Sequence, residues 1–331
     1  MGGSKYSDEH HADMQKIIDK SGGNAFKHDH DVRTGKVTTA LHDSLNILGK
    51  RRESRDSDVH PTSRAVAVIL DQTGSMSSVP RVVQRRLPEL MGLLVRKSYL
   101  PHPHLLVGAI GDAHNGENAP IQMSQFEGGN EIDEQIANIY LEGNGGGGGS
   151  ESYELAMYFL ARRTDIDCFE KRGEKGYLFI IGDEKYYTNI PRSQICGLID
   201  PDYGGDSVDT EVIWDELLAK YEVFYIMPNC THNYKSPDMV AQWQKKLGER
   251  VLFLDNPEDI CVLIAATIGM CEGSNHDTIA SDLKSSGMSD ATTAVVTKSL
   301  ATLKPGTGAG GGSMTVTENV SSGSPSGLTA L

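Results

Sequence analysis

The chain has 331 residues, with 31 Lys plus Arg against 45 Asp plus Glu and a formal net charge of −14. That balance excludes the broad basic face of a nucleic-acid binder. Hydrophobic residues at 38% and aromatics at 6% support one core of roughly 200 residues and leave some chain outside it.

Residues 1–61 are polar, rich in His, Asp, Ser and Gly, with weak helical patches at 13–20 and 38–48. They predict a loosely attached arm, partly helical or disordered. At 65–71 the run Ala-Val-Ala-Val-Ile-Leu-Asp is continuously apolar and ends in an acid, the pattern of a central parallel strand buried on both faces. A helix follows over 79–99 on the spacing of Val82, Val83, Leu87, Leu90 and Leu94, with Pro88 expected to kink or restart it. Residues 105–110 predict a second buried strand and 119–126 a third, as an antiparallel edge. Helices are expected at 131–141 and 152–163, separated by the glycine run that ends at Ser150. The strand 177–181 leads into Gly182 and Asp183. Then come a helix at 210–221, a strand at 223–227, a helix at 238–247 and a strand at 251–254. Asn256 caps the last helix, with Pro257 at its first position.

This alternation predicts an α/β domain over 62–272: a Rossmann-like, doubly wound, mostly parallel sheet flanked by helices. Residues 273–304 read as a short helical extension and 305–331 as a Gly/Ser-rich disordered tail. The longest strongly apolar run, 260–270, is too short to span a bilayer, and the first residues carry no apolar signal segment. Five cysteines at irregular spacing, with no Cys-x-x-Cys pair, read as reduced thiols. Together these predict a soluble, cytoplasmic protein that contacts no membrane.

In open α/β sheets ligands bind beyond the carboxyl ends of the strands. The first strand delivers Asp71, Thr73 and Ser75 into its loop at alternate positions, one carboxylate and two hydroxyls. That donor set is too weakly charged for a Ca²⁺ cage but suits Mg²⁺ or Mn²⁺, which retain water ligands. Asp183 supplies a second carboxylate at the same edge. Five glycines, 145–149, let a third loop approach closely.

These residues resemble the metal-ion-dependent adhesion site (MIDAS) of von Willebrand factor A (vWA) domains, whose first loop reads Asp-x-Ser/Thr-x-Ser. The resemblance covers roughly 62–272, and the family's later aspartate falls on Asp183. In the middle loop, where the family offers Thr, the aligned position is Ser150. The segments 110–113, 125–127, 151–154 and 182–184 also look like those of uncharacterised intracellular vWA proteins of bacteria and phages. The resemblance implies a module that binds an acidic residue of a partner through a bound divalent cation, within multiprotein assemblies that include AAA-type ATPases.

Asp112 and His114 lie just past the second strand. With Glu151 and Glu184 they are expected to form the rim that a partner touches, Glu127 and Glu142 standing nearby. Other clusters are blander: residues 28–31 (His-Asp-His-Asp) read as a charged surface stretch, and Cys230 with His232 gives two ligands and no site. The glycine run formally contains Gly-x-Gly-x-x-Gly but follows a helix rather than a strand, which disfavours a dinucleotide site. Neither Gly-x-Ser-x-Gly nor His-Glu-x-x-His is present. The alternative function is a Mg²⁺-dependent phosphate-ester hydrolase working in the same crevice.

Overall fold

The apolar runs become one six-stranded sheet. The computed structural model describes residues 4–20, 25–76, 78–143 and 149–306, so the tail expected beyond 306 lies outside the described residues. The strands are β1 (Arg64–Asp71), β2 (Pro103–Ile110), β3 (Ile121–Met123), β4 (Gly176–Ile181), β5 (Tyr221–Pro228) and β6 (Val251–Leu254). Their order across the sheet is β6-β5-β4-β1-β2-β3. Every pairing is parallel except that of β3, which runs antiparallel to β2 with Gly108 opposite Met123. The main helices are α1 (Asp8–Lys20), α2 (Lys27–Arg33), α3 (Val79–Arg96), α4 (Glu131–Ala137), α5 (Tyr153–Arg162), α6 (Thr210–Lys220), α7 (Pro237–Leu247), α8 (Ile260–Cys271), α9 (His276–Ser285) and α10 (Asp290–Ser299).

Strand alternation divides the core into two layers. Val66, Val68 and Leu70 of β1 face α3 and α8, whereas Ala65, Ala67 and Ile69 face Tyr153–Leu160 of α5, Ile213 and Trp214 of α6, and Trp243 of α7. With both faces covered, every residue of β1, β2, β4 and β5 is buried, which is why these strands read as unbroken apolar runs. Helix α3 continues through Pro88 without restarting; its buried stripe against α8 outweighs the one lost hydrogen bond. Among the described residues no helix is long and apolar enough to cross a membrane.

The residues ahead of β1 are not a loose arm. Phe26, Leu45 and Ile47 are at most 1% exposed and belong to the core. Residues Arg52–Ser54 pair in parallel with Thr164–Ile166. The Met123 N–H donates to the Leu45 carbonyl at 3.0 Å, so this segment covers the free edge of the sheet at β3. The Arg52 guanidinium donates to the carbonyls of Ser44 (2.6 Å) and Met123 (2.8 Å). In α1, the buried His11 meets Asp133 of α4 at 2.7 Å. No helix forms over 38–48. One forms instead at α2, where His28, Asp29 and Asp31, expected as a surface stretch, are buried. Past β6, α9 and α10 bury Ile279, Leu283, Val296 and Leu300 in the same core, so the extension belongs to the domain.

Candidate functional site

The strand order reverses between β1 and β4. From β1 the chain builds outward through β2 and β3, then returns to β4 and builds the other way. At such a switch point the loops leaving the two central strands part and open a crevice. Asp71 is the last residue of β1, and Asp183 lies just past the end of β4; both side chains are fully buried.

Asp71 gathers the loop behind it. Its Oδ1 accepts the Thr73 hydroxyl at 2.6 Å and the Thr73 N–H at 2.8 Å, a turn that leads into the short helix Gly74–Met76. Ser75 lies in that helix, and its side chain is outside the described residues. Gln72 donates to the Ala119 carbonyl at 3.0 Å and accepts from Gln122 at 2.9 Å, tying the loop to the neighbouring strands.

The other oxygen, Asp71 Oδ2, accepts the hydroxyl of Tyr153 at 2.7 Å. Tyr153 is the first residue of α5, and its ring packs edge-on against Trp243 at 5.3 Å. A Cβ at position 182 would stand 1.9 Å from its hydroxyl, so the residue before Asp183 must be glycine. Tyr153 therefore fills the space between the ends of β1 and β4. Sequence reasoning gave it no role of its own, although it lies in the 151–154 segment that carries the resemblance.

The described end of the third loop, residues 149–152, is held between the ends of β2 and β4. Ser150 and Glu151 pair in parallel with Lys185 and Tyr186, and the Ser152 N–H donates to the Gly111 carbonyl at 3.0 Å. Residues 144–148 of the glycine run lie outside the described residues. Ser150 is half-buried. Glu151 is 1% exposed, and neither of its carboxylate oxygens meets a hydrogen-bond partner among the described residues.

Acids dominate the electrostatics, with only Lys185 and His232 acting against them at Glu184 among the described residues. Burial, then repulsion from Asp71, Asp112, Glu117 and Glu184, pushes the Glu151 carboxyl up to about 10. Asp71 is pushed up to about 7 by burial and by Asp183, against the hydrogen bonds of Thr73 and Tyr153. Burial raises Glu117 to about 7 and Glu154 to about 8. The hydrogen-bond partners described for Asp112, Glu142 and Glu184 are neutral. Asp112 accepts from the His114 N–H, Asn115 and the Tyr187 hydroxyl; Glu142 accepts from Asn118 and the Ala119 N–H; Glu184 accepts from Asn233. No lysine or arginine is among them.

Among the described residues, no three His, Cys, Asp or Glu side chains form a ready-made metal cage. Buried carboxylates, a hydroxyl and the unpartnered Glu151 nevertheless fit a hard divalent cation that completes its shell with water.

The rim departs from expectation. His114 is exposed, its ring 4.0 Å from that of Tyr187, and Glu184 is half-buried on a loop held by Trp243 Nε1 donating to the Glu184 carbonyl at 2.9 Å. Asp112 and Glu151 are buried and face no solvent. Glu127 bridges to Leu105, near the start of β2, because the chain after β3 runs back toward the amino end of the sheet. Cys230 stands with its Sγ 3.8 Å from Met76 Sδ, its thiol pushed up to about 11 by burial, and His232 is exposed.

No family model matches the sequence, and no curated protein matches it significantly. Among solved structures, the pilus adhesin SpaC from Lactobacillus rhamnosus GG, in its open conformation, is similar with a TM-score of 0.43 at 11% identity, covering 67% of this chain and 31% of SpaC. Proximal thread matrix protein 1 from the mussel byssus is similar with a TM-score of 0.39 at 9% identity, covering 62% of this chain and 47% of that protein. The chain thus spans between about a third and a half of the proteins it matches.

Proposed function

We propose that this chain is a divalent-cation-dependent protein-binding module of the vWA type, in which Mg²⁺ or Mn²⁺ in the switch-point crevice bridges to a Glu or Asp of a partner protein. Supporting this reading above all is the placement of two fully buried carboxylates, Asp71 and Asp183, at the ends of the two central strands. Asp71, Thr73 and Ser75 would hold the ion, with Asp183 acting through water. A hard cation bound by so few protein oxygens keeps positions open to an external oxygen ligand. The five free cysteines accord with a reducing, cytoplasmic setting.

Phosphate-ester hydrolysis is the weaker reading. A phosphate substrate would enter among Asp71, Glu117, Glu151 and Glu184 with no described lysine or arginine partnering them, whereas a protein can bring one acid together with compensating basic residues. Calorimetric titration of the full chain with Mg²⁺ tests the site: binding is expected in the wild type and lost in Asp71→Asn. Affinity capture with and without EDTA then tests the function, since specific partners should disappear with either chelator or Asp71→Asn. Chelator-sensitive phosphatase turnover without any such partner would favour the hydrolase.

A further inference from the structure

We infer that Glu151 is a direct ligand of the cation in this crevice, supplying from the third loop the oxygen that the sequence resemblance assigns to Ser150. This inference rests on the cation reading proposed above.

A buried carboxylate has three ways to avoid an uncompensated charge: a basic partner, a retained proton, or a metal ion. The first does not operate among the described residues: neither Glu151 oxygen meets a basic side chain, and the charges that bear on it are the acids Asp71, Asp112, Glu117 and Glu184. A retained proton removes the charge in the metal-free protein but leaves a hydroxyl with no acceptor among the described residues, so a cation that displaces it gains a ligand at no cost in broken hydrogen bonds. A cation satisfies both oxygens and the acids around them.

Backbone geometry then selects Glu151 over Ser150. The pairing of Ser150 with Lys185 and of Glu151 with Tyr186 makes these two residues a short strand, so their side chains point to opposite sides. Only one of the two can face the crevice. Glu151 is the one buried there, with Asp71 as its strongest neighbouring charge, while Ser150 stays half-buried opposite Lys185. The strand is pinned at its far end by the Ser152 N–H on the Gly111 carbonyl, and α5 begins at the next residue, so the Glu151 backbone is fixed between the ends of β2 and β4.

Calorimetric titration of the full-length protein with Mn²⁺ tests the assignment in the wild type, Glu151→Gln, Ser150→Ala and Asp71→Asn. The expected result is loss of binding in Asp71→Asn, a loss of at least about tenfold in affinity in Glu151→Gln, and no change in Ser150→Ala. Unchanged binding in Asp71→Asn would sink the cation reading itself. Binding abolished in Asp71→Asn but retained in Glu151→Gln would overturn only the role given to Glu151, as would a loss in Ser150→Ala alone. Thermal melting in EDTA guards against misfolding. Removal of a buried acid from among acids should leave Glu151→Gln melting at or above wild type, with a smaller Mn²⁺-induced rise. Melting below wild type in EDTA would make Glu151 a structural residue and overturn the inference.

Discussion

Tyr153 shows how a neutral hydroxyl supports a buried acid. Its O–H donates to Asp71 Oδ2, while Oδ1 is already occupied by Thr73. Tyr153→Phe keeps the ring against Trp243 but strands one carboxylate oxygen. Urea unfolding in EDTA at pH 8 should register a loss of about 1–3 kcal/mol, and Mg²⁺ affinity should fall about 10- to 100-fold, as for other groups that orient a ligand. Unchanged values in both measurements would make Tyr153 a bystander. Glu154, the next residue, makes a separate prediction. Burial lifts its carboxyl from the ordinary 4.5 to about 8, so the native state keeps a proton that the unfolded chain sheds first. Its contribution is complete below about pH 4.5 and is lost as pH rises toward 8. Glu154→Gln should flatten that part of the stability profile and raise stability at pH 8 by at least about 1 kcal/mol. Urea unfolding at pH 5 and pH 8 measures both, and an unaltered slope would refute the shift.

Among the elements, the N-terminal segment carries the sharpest test. Phe26 is fully buried with the Arg81 guanidinium 5.5 Å from its ring centroid. Phe26→Ala should cost about 3–5 kcal/mol, measured by chemical denaturation, whereas a loose arm would cost nothing. That segment was illegible in the sequence for a physical reason. Its anchors, Phe26, Leu45 and Ile47, are isolated and form no periodic face, and α2 buries His28, Asp29 and Asp31 rather than apolar residues. The sheet was legible because strands covered on both faces cannot alternate, so β1, β2, β4 and β5 stand out as apolar runs. Of the candidate site, what could be read was position: Asp71 ends β1, Thr73 follows in its loop and Asp183 lies just past β4. Tyr153 and the burial of Glu151 could not, because the first depends on Gly182 across the crevice and the second on a two-residue strand that pairs only in the folded chain.

At the scale of the whole molecule, a cation bound as proposed would couple folding stability to both protons and metal through the acids of the crevice. Asp71 at about 7 and Glu151 at about 10 hold protons in the metal-free protein that must leave before an ion can bind. At pH 6 the cation therefore competes with protons on both groups. At pH 8 Asp71 is already ionised, and the metal-free state is strained by the repulsion the ion would relieve. Ligand linkage gives about 2.7 kcal/mol of stabilisation at a cation concentration one hundred times the dissociation constant. Because that constant falls as the protons leave, the rise in melting temperature on adding a fixed concentration of Mg²⁺ should be larger at pH 8 than at pH 6. Ionic strength must be held constant with KCl, since screening alone also softens repulsion between acids. Asp71→Asn should show no Mg²⁺-dependent rise at either pH. Equal increments at the two pH values in the wild type would mean that the ion binds away from these acids; a rise preserved in Asp71→Asn would place it outside the crevice altogether.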